Sequence, residues 1–284
     1  MPSAETPSAG TEATTEGAWE VLAVRFATRQ TVASQVYLNY HVYGEPDRPI
    51  GMDYFFWVLR RPGRTVLVDT GFTPAVGERR GRTMTCPVPD ALSRLGIDPA
   101  DIDQLVITHA HYDHTGNVSL FPHAEILITA RELDFWTGPY AERVQFGHSV
   151  ERPDIAALAE ADREGRVTRL AGRHRLAPGI ELLEVGGHTP GQLVALVRTA
   201  GGTVVLASDA VHYYEELELG RPFLVVADLE AMYRGFDDLA RIAAEPDTVL
   251  LPGHDPLVLE RFEPLDATDP GFAVVVRPRA ERKS

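Results

Sequence analysis

The run His109-Ala110-His111-Tyr112-Asp113-His114 places four good metal-ligand side chains within six residues, directly after the apolar stretch Gln104–Thr108. Side chains alternate along a strand, so His109 and His111 point the same way at its end and two imidazoles can meet one ion. Asp113 and His114 fall where the chain turns towards a helix and can aim at a neighbouring position. Three further candidates follow other apolar strands: His188 in Gly186-Gly187-His188-Thr189-Pro190-Gly191, Asp209 in Ala207-Ser208-Asp209, and His254 in Pro252-Gly253-His254. A rigid sheet presents side chains at its rim in this way. Seven ligands are enough for two metals, and imidazole with carboxylate suits zinc, iron or manganese.

The pattern on either side of these residues gives the fold class. Strands are expected at Val21–Phe26, Tyr54–Leu59 and Thr65–Val68, the last two joined by a tight turn at Arg61-Pro62-Gly63-Arg64. A polar and aromatic loop, Thr31 to Ile50, lies between the first two. Helices are expected at Pro89–Leu95, ending at Gly96, at Ala130–Trp136 and at Pro153–Glu164. Residues 138–152 carry no clean period. Further strands are expected at Ala124–Ile128, Ile180–Val185, Gln192–Val197, Thr203–Ala207 and Thr248–Leu251, with a helix over Asp228 to Ala244. This order argues for an α/β sandwich in which two sheets face each other and helices cover the outside. Residues 1–18 hold almost nothing large and apolar and read as a flexible tail, leaving 19–284 as one domain.

Charge and cysteine usage narrow the function classes. Against 41 acidic residues stand 27 basic ones, a net charge of −14, which disfavours a nucleic-acid backbone as ligand. No stretch approaches the ~18 consecutive apolar residues of a membrane span, and the N-terminus lacks a basic region followed by an apolar one. The lone cysteine, Cys86, cannot form an intramolecular bridge. The expectation is a cytoplasmic protein with no membrane partner.

The ordered elements HxHxDH, GGHTPG, SD and GH closely resemble the metallo-β-lactamase fold superfamily over roughly residues 19–260. The resemblance implies a four-layer αβ/βα sandwich, with two facing mixed sheets and external helices, holding two divalent metal ions. Zinc is the first expectation, with iron, manganese or cobalt as alternatives. By the same resemblance His109, His111 and His188 bind one ion, Asp113, His114 and His254 the other, and Asp209 bridges them. Asp69, in Val68-Asp69-Thr70-Gly71, matches the family's early strand-end Asp that supports the ligand loop. Two cations ~3.5–4 Å apart share an acidified water, so the expected reaction is attack of a bridging hydroxide on an ester, lactone, thioester or amide. Asp113 is expected to move the proton.

A complete ligand set with a bridging Asp209 looks like lactonases, glyoxalase II thioesterases and ribonuclease Z, and the net charge weighs against the last. The segments Met52–Trp57 and Ser208–Tyr214 are similar to N-acyl homoserine lactonases and their 4-pyridoxolactonase-like relatives. Those lactonases carry a Tyr three residues after the bridging Asp, where this chain has His212, followed by Tyr213 and Tyr214. The expected catalytic residues are therefore Asp113, His212, Tyr213 and Tyr214, and the expected partner is a small-molecule lactone or ester. A homodimer is the assembly considered. A glyoxalase II-like thioesterase and a metal-binding regulatory module without turnover are the alternatives. His41, His123, His148 and His174 match no ligand position and read as surface or loop residues. Cys86 reads as incidental. Arg79-Arg80-Gly81-Arg82 reads as a solvated face able to attract an anionic substrate.

Overall fold

The computed structural model describes residues 17–278. The tail expected over residues 1–18 therefore lies, apart from Gly17 and Ala18, outside the described residues, as do residues 279–284 of the expected domain. Along the chain come β1 (Glu20–Val32), β2 (Pro49–Arg61), β3 (Arg64–Val68), α1 (Pro74–Arg79), β4 (Thr83–Met84), α2 (Val88–Arg94) and β5 (Gln104–Val106). Then follow α3 (Tyr112–Thr115), β6 (Glu125–Thr129), α4 (Ala130–Trp136), α5 (Val144–Gly147), α6 (Arg152–Arg163) and β7 (Val167–Leu170). The second half holds β8 (Arg173–Ala177), β9 (Ile180–Glu184), β10 (Leu193–Thr199), β11 (Gly202–Ser208), α7 (Tyr214–Leu219), α8 (Leu229–Ala243) and β12 (Thr248–Pro252). The last elements are α9 (Leu257–Arg261), β13 (Glu263–Pro264) and β14 (Ala273–Val276).

Two mixed sheets result. The first runs β13-β14-β1-β2-β3-β5-β6-β7, with β4 paired to β1, and the second runs β12-β11-β10-β9-β8. In the first, β1, β2 and β3 are antiparallel while β3, β5, β6 and β7 are parallel. Only β11 and β12 are parallel in the second. The period of two decides how these sheets stack. In β2, Phe55, Trp57 and Leu59 point into the space between the sheets, where they meet Leu182, Ala195 and Leu206. Tyr54, Phe56 and Val58, on the opposite face, pack under the outer helices with Ala91, Leu133 and Leu158. On the far side α8 lays Met232, Phe236, Leu239 and Ile242 on Val194, Val205 and Leu250. The layers are thus helix, sheet, sheet, helix, as expected.

The turn after β2 contains Gly63 at φ 72°, and α2 is followed by Gly96 at φ 69°, both conformations that glycine adopts without a Cβ clash. The unperiodic stretch 138–152 contains a single 3₁₀ turn, Pro139–Glu142, and the short α5. The sequence pattern did not announce β4, β7, β8, β13, β14, α1, α7 and α9. The strands among them have five residues or fewer; β7, β8 and β13 lie at sheet edges, β14 lies next to an edge and β4 pairs outside the main path, where alternation is weak.

Candidate metal centre

The parallel strands β3 and β5 and the parallel pair β11 and β12 all end on one edge of the sandwich, and the seven expected ligands converge there. One atom from each of His109, His111, His188 and Asp209 lies within 4.8 Å of the others, and the same holds for Asp113, His114 and His254. All seven residues are buried. Each set takes ligands from both halves of the chain: His109 and His111 follow β5 and Asp113 and His114 sit on α3, whereas His188 precedes β10, Asp209 follows β11 and His254 follows β12.

Asp209 faces both sets. Its Oδ1 lies 3.3 Å from His114 Nε2 and 3.1 Å from His254 Nε2, and its Oδ2 lies 3.4 Å from His188 Nε2 and 3.7 Å from His109 Nε2. Four of the imidazoles are held by their other nitrogen. His114 Nδ1 is 2.7 Å from Asp69 Oδ2, His109 Nδ1 is 3.2 Å from Thr108 Oγ1, and the Nδ1 atoms of His188 and His254 each donate to a carbonyl, of Val225 and Asp53, at 2.7 Å. Such outer partners fix the ring orientation of metal-binding histidines. What remains facing inward fits cations: His109 Nε2, His114 Nε2 and Asp209 Oδ1 are buried without a hydrogen-bond partner among the described residues. His111 Nδ1 and His188 Nε2 point at each other 2.9 Å apart. Buried polar atoms left bare in this way are costly unless something binds them.

Burial and neighbouring carboxylates act differently on these side chains in the absence of an ion. Burial holds His109 and His111 well below the ordinary imidazole range and brings His188 down to about 3, so all three are neutral and ready to ligate. Burial also opposes a charge on His114, but the carboxylates of Asp209, Asp69 and Asp113 outweigh it and hold that imidazole well above its ordinary value. For Asp209, burial works against ionisation, yet the imidazoles of His254, His212, His114 and His109 keep its carboxyl well below the usual range.

The ends of the two sheets are tied beneath the site. Asp69 Oδ1 accepts the Thr108 N–H at 2.8 Å and its Oδ2 accepts the Thr108 hydroxyl at 2.8 Å, while that hydroxyl also lies 2.9 Å from Ser208 Oγ. Asp69 and Ser208 both have positive φ, 64° and 46°, which for non-glycine residues is strain stored next to a site. Asp69 thus supports the ligand loop as its motif implied.

Glu132 performs a related task that the sequence analysis missed. Its Oε1 accepts the Ala110 N–H at 2.9 Å and the Trp136 Nε1–H at 2.6 Å, and its Oε2 accepts the Gly191 N–H at 2.8 Å. It therefore joins the His109–His114 loop to the loop carrying His188. The available signal was Thr129-Ala130-Arg131-Glu132 at a helix start, a capping arrangement in which Thr129 Oγ1 accepts the Glu132 N–H at 3.1 Å.

The expected catalytic residues are placed unequally. Asp113 lines the cleft above the ligands. His212 is fully buried, with Nε2 3.1 Å from Asp209 Oδ2 and Nδ1 3.4 Å from Glu216 Oε1, and Glu216 Oε2 accepts its backbone N–H at 3.1 Å. Although burial opposes it, Asp209 and Glu216 raise the His212 imidazole to about 9. Tyr213 and Tyr214, expected to reach substrate, line neither lobe of the cleft. Tyr213 is buried in the core and donates its hydroxyl to Gly51 O at 3.1 Å, and the Tyr214 ring lies under the Arg261 guanidinium at 3.7 Å. Packing claims both rings because α7 begins at Tyr214 and turns the chain away from the ligands. His41 and His123 are exposed and His174 half-buried, away from the ligands, whereas His148 is exposed at the cleft rim. Phe223, Trp136 and Phe146 form cleft walls that the sequence did not single out individually.

No helix of the described residues is long and apolar enough to cross a membrane. Comparison with known proteins bears on the same residues. A family profile described as "Metallo-beta-lactamase superfamily" matches residues 52–254. The chain is 31% identical over 193 residues to metallo-beta-lactamase domain-containing protein 1 of Xenopus laevis, covering 68% of this chain and 66% of that protein. It is 30% identical over 236 residues to the N-acyl homoserine lactonase AiiB of Agrobacterium fabrum, covering 76% and 83%. The crystal structure of a quorum-quenching N-acyl homoserine lactone lactonase has the same fold, with a TM-score of 0.70 at 21% identity over 84% of this chain and 92% of that one.

Proposed function

The chain belongs to the metallo-beta-lactamase superfamily, and from that premise we propose that it is a metal-dependent hydrolase opening a lactone or related ester, as the N-acyl homoserine lactonases it is similar to are named for doing. The observation that carries the proposal is Asp209, whose two carboxylate oxygens face two separate ligand sets. In this reading His109, His111, His188 and Asp209 would hold one divalent ion, and Asp113, His114 and His254, with Asp209 between the sets, would hold a second. Zinc is the first candidate, since imidazole nitrogen and carboxylate oxygen suit it, with iron, manganese and cobalt satisfied by the same donors. When bound, two such ions supply Lewis acidity that acidifies water and polarises an ester carbonyl.

The chain's own residues supply the rest. The Asp113 carboxylate, at the cleft wall, accepts a proton from the attacking water and returns it to the departing ring oxygen, so that water and lactone become a hydroxy acid. His212 acts on Asp209 from below, with Glu216 fixing its other edge. Trp136, Phe146, Phe223 and Leu224 wall the cleft and limit water around the scissile bond. A reducing cytosol is the compartment that a single buried cysteine, Cys86, fits best.

The test is hydrolysis by purified, metal-loaded protein of N-acyl homoserine lactones, other lactones and S-lactoylglutathione, with metal content measured alongside. We expect about two equivalents of metal and lactone opening abolished in His111→Ala and Asp209→Ala. Preference for the thioester would assign the chain to the glyoxalase II-like class. Metal-replete protein inactive on every ester would make it a binding module.

A further inference from the structure

Two lobes meet above the ligand sets, with volumes of about 470 and 330 Å³, sharing walls at His111, Ser149, His188, Leu224 and Val225. The larger lobe is apolar, walled by Trp136, Phe146, Pro190 and Val226. The smaller lobe is cationic: Arg29, Arg80 and Arg82 border it, beside Tyr54 and Tyr112. Its acids, Asp113 and Asp209, belong to the ligand sets.

The three arginines are not equivalent. Arg80 is already neutralised, with Nε 2.8 Å from Glu151 Oε1 and further bonds to the carbonyls of His148 and Val150. Arg82 gives its Nε–H to the Tyr112 hydroxyl at 3.1 Å and an Nη1–H to Arg80 O at 2.6 Å, and Arg29 donates to Gln35 Oε1 at 3.2 Å. Among the described residues neither Arg29 nor Arg82 has a carboxylate oxygen within 4.0 Å, although both are half-buried. A guanidinium held in place by neutral partners keeps its fork free for a carboxylate, whose geometry matches it. Tyr112 and the Arg80 backbone hold Arg82 in advance, which lowers the entropy lost when an anion binds.

Resting on the ester-opening reading of the site, we propose that the substrate carries a carboxylate on one side of the scissile ester, bound by Arg82 and Arg29, and an apolar group on the other, bound between Trp136 and Phe146. The substrate class is thus an anionic ester or lactone of modest size. Hydrolysis remains the addition of water across one C–O bond, and the remote carboxylate takes no part in the bond changes.

Two measurements on metal-loaded protein test this. The first compares binding of adipate with hexanoate, and glutarate with pentanoate, by isothermal titration. Both members of each pair offer one carboxylate to the ligand sets, so the difference isolates the second carboxylate. We expect the diacid to bind about tenfold tighter, as a charge-assisted pair should, with the advantage falling to about twofold in Arg82→Met and in Arg29→Met and partly restored in Arg82→Lys. The second compares hydrolysis of monophenyl adipate and phenyl hexanoate, where the same ratio should appear in kcat/KM, mainly through KM. Equal binding of diacid and monoacid, or an advantage that survives in the Arg29→Met/Arg82→Met double variant, would overturn the inference. Turnover of neither ester with the diacid preference intact would instead overturn the hydrolase reading and leave the carboxylate lobe standing. If Arg82 serves only to brace Tyr112, its substitution will lower the unfolding temperature and change both members of each pair alike, which also counts against the inference.

Discussion

His212 lies flat on Phe223, with ring centroids 3.7 Å apart and planes at 14°, while its Nε2 sits 3.1 Å from Asp209 Oδ2. Phe223 covers the face of the imidazole that would otherwise meet the cleft, and Glu216 occupies its other edge. The residue three positions after Asp209 therefore lies against the carboxylate, with Phe223 between it and the cleft.

That arrangement predicts a metal phenotype for His212. In His212→Ala, Asp209 loses the group that orients it, and metal affinity should fall by roughly ten- to a hundredfold. Competition with a chromogenic chelator measures this directly. Unchanged affinity with lost turnover would mean that the imidazole acts on substrate after all.

Glu132→Ala should destabilise the metal-free protein by about 3 kcal/mol, because the buried N–H groups of Ala110, Gly191 and Trp136 lose their acceptor together. Glu132→Gln keeps one acceptor oxygen and should cost about half as much. Urea unfolding compares the two, and a smaller loss for the alanine variant would contradict the bridging role.

At Gly253 an added Cβ would stand 2.7 Å from Asp209 Oδ1 and 2.8 Å from the Ser208 carbonyl carbon. Neither neighbour can yield freely, since one belongs to the buried Asp209 carboxylate among the imidazoles and the other to strained backbone. Gly253→Ala should therefore retain its far-UV circular dichroism while its metal content drops from about two equivalents to about one or fewer. Elemental analysis after dialysis reads the result, and full occupancy would refute the prediction.

Asp154, in the first turn of α6, has a buried Oδ2 without a hydrogen-bond partner among the described residues, and burial together with Glu151 raises its carboxyl from 3.8 to about 6. Between those values the folded chain holds a proton that the unfolded chain has released, so this stability contribution is present below 3.8 and lost as pH rises through about 6. At pH 7.5 Asp154→Asn should stabilise by about 1 kcal/mol, a figure reduced from the full conversion because solvent screens the half-buried group. The gain should vanish near pH 4. Thermal unfolding across pH 4–8 provides the check, and a pH-independent difference would exclude this cause.

The convergence of the seven side chains was legible because a metal site needs particular side chains at strand ends, and both the HxHxDH spacing and the apolar runs before His109, Asp209 and His254 survive in one dimension. The layers were legible for a similar reason: β2 alternates its aromatics between two cores. Less visible were groups whose role depends on what distant segments bring to them. Glu132 sits in an ordinary amphipathic helix and becomes a bridge only when residues 110 and 191 pack against it. Arg29 and Arg82, 53 positions apart in the sequence by 82 − 29, share a lobe only because β4 pairs with β1. The packing of Tyr213 and Tyr214 away from the cleft was hidden for the converse reason, since adjacency to His212 says nothing about which way α7 departs.

Each ligand set draws on both halves of the chain, and the unfolded polypeptide offers no such arrangement. Any divalent ion the sets accept is consequently a rivet between the halves, gripping the native form and ignoring the extended one. The supply of free ion in the surroundings would then weigh on how much of the protein persists as well as on how fast it works, because an ion that binds only the folded form holds more of it in that form.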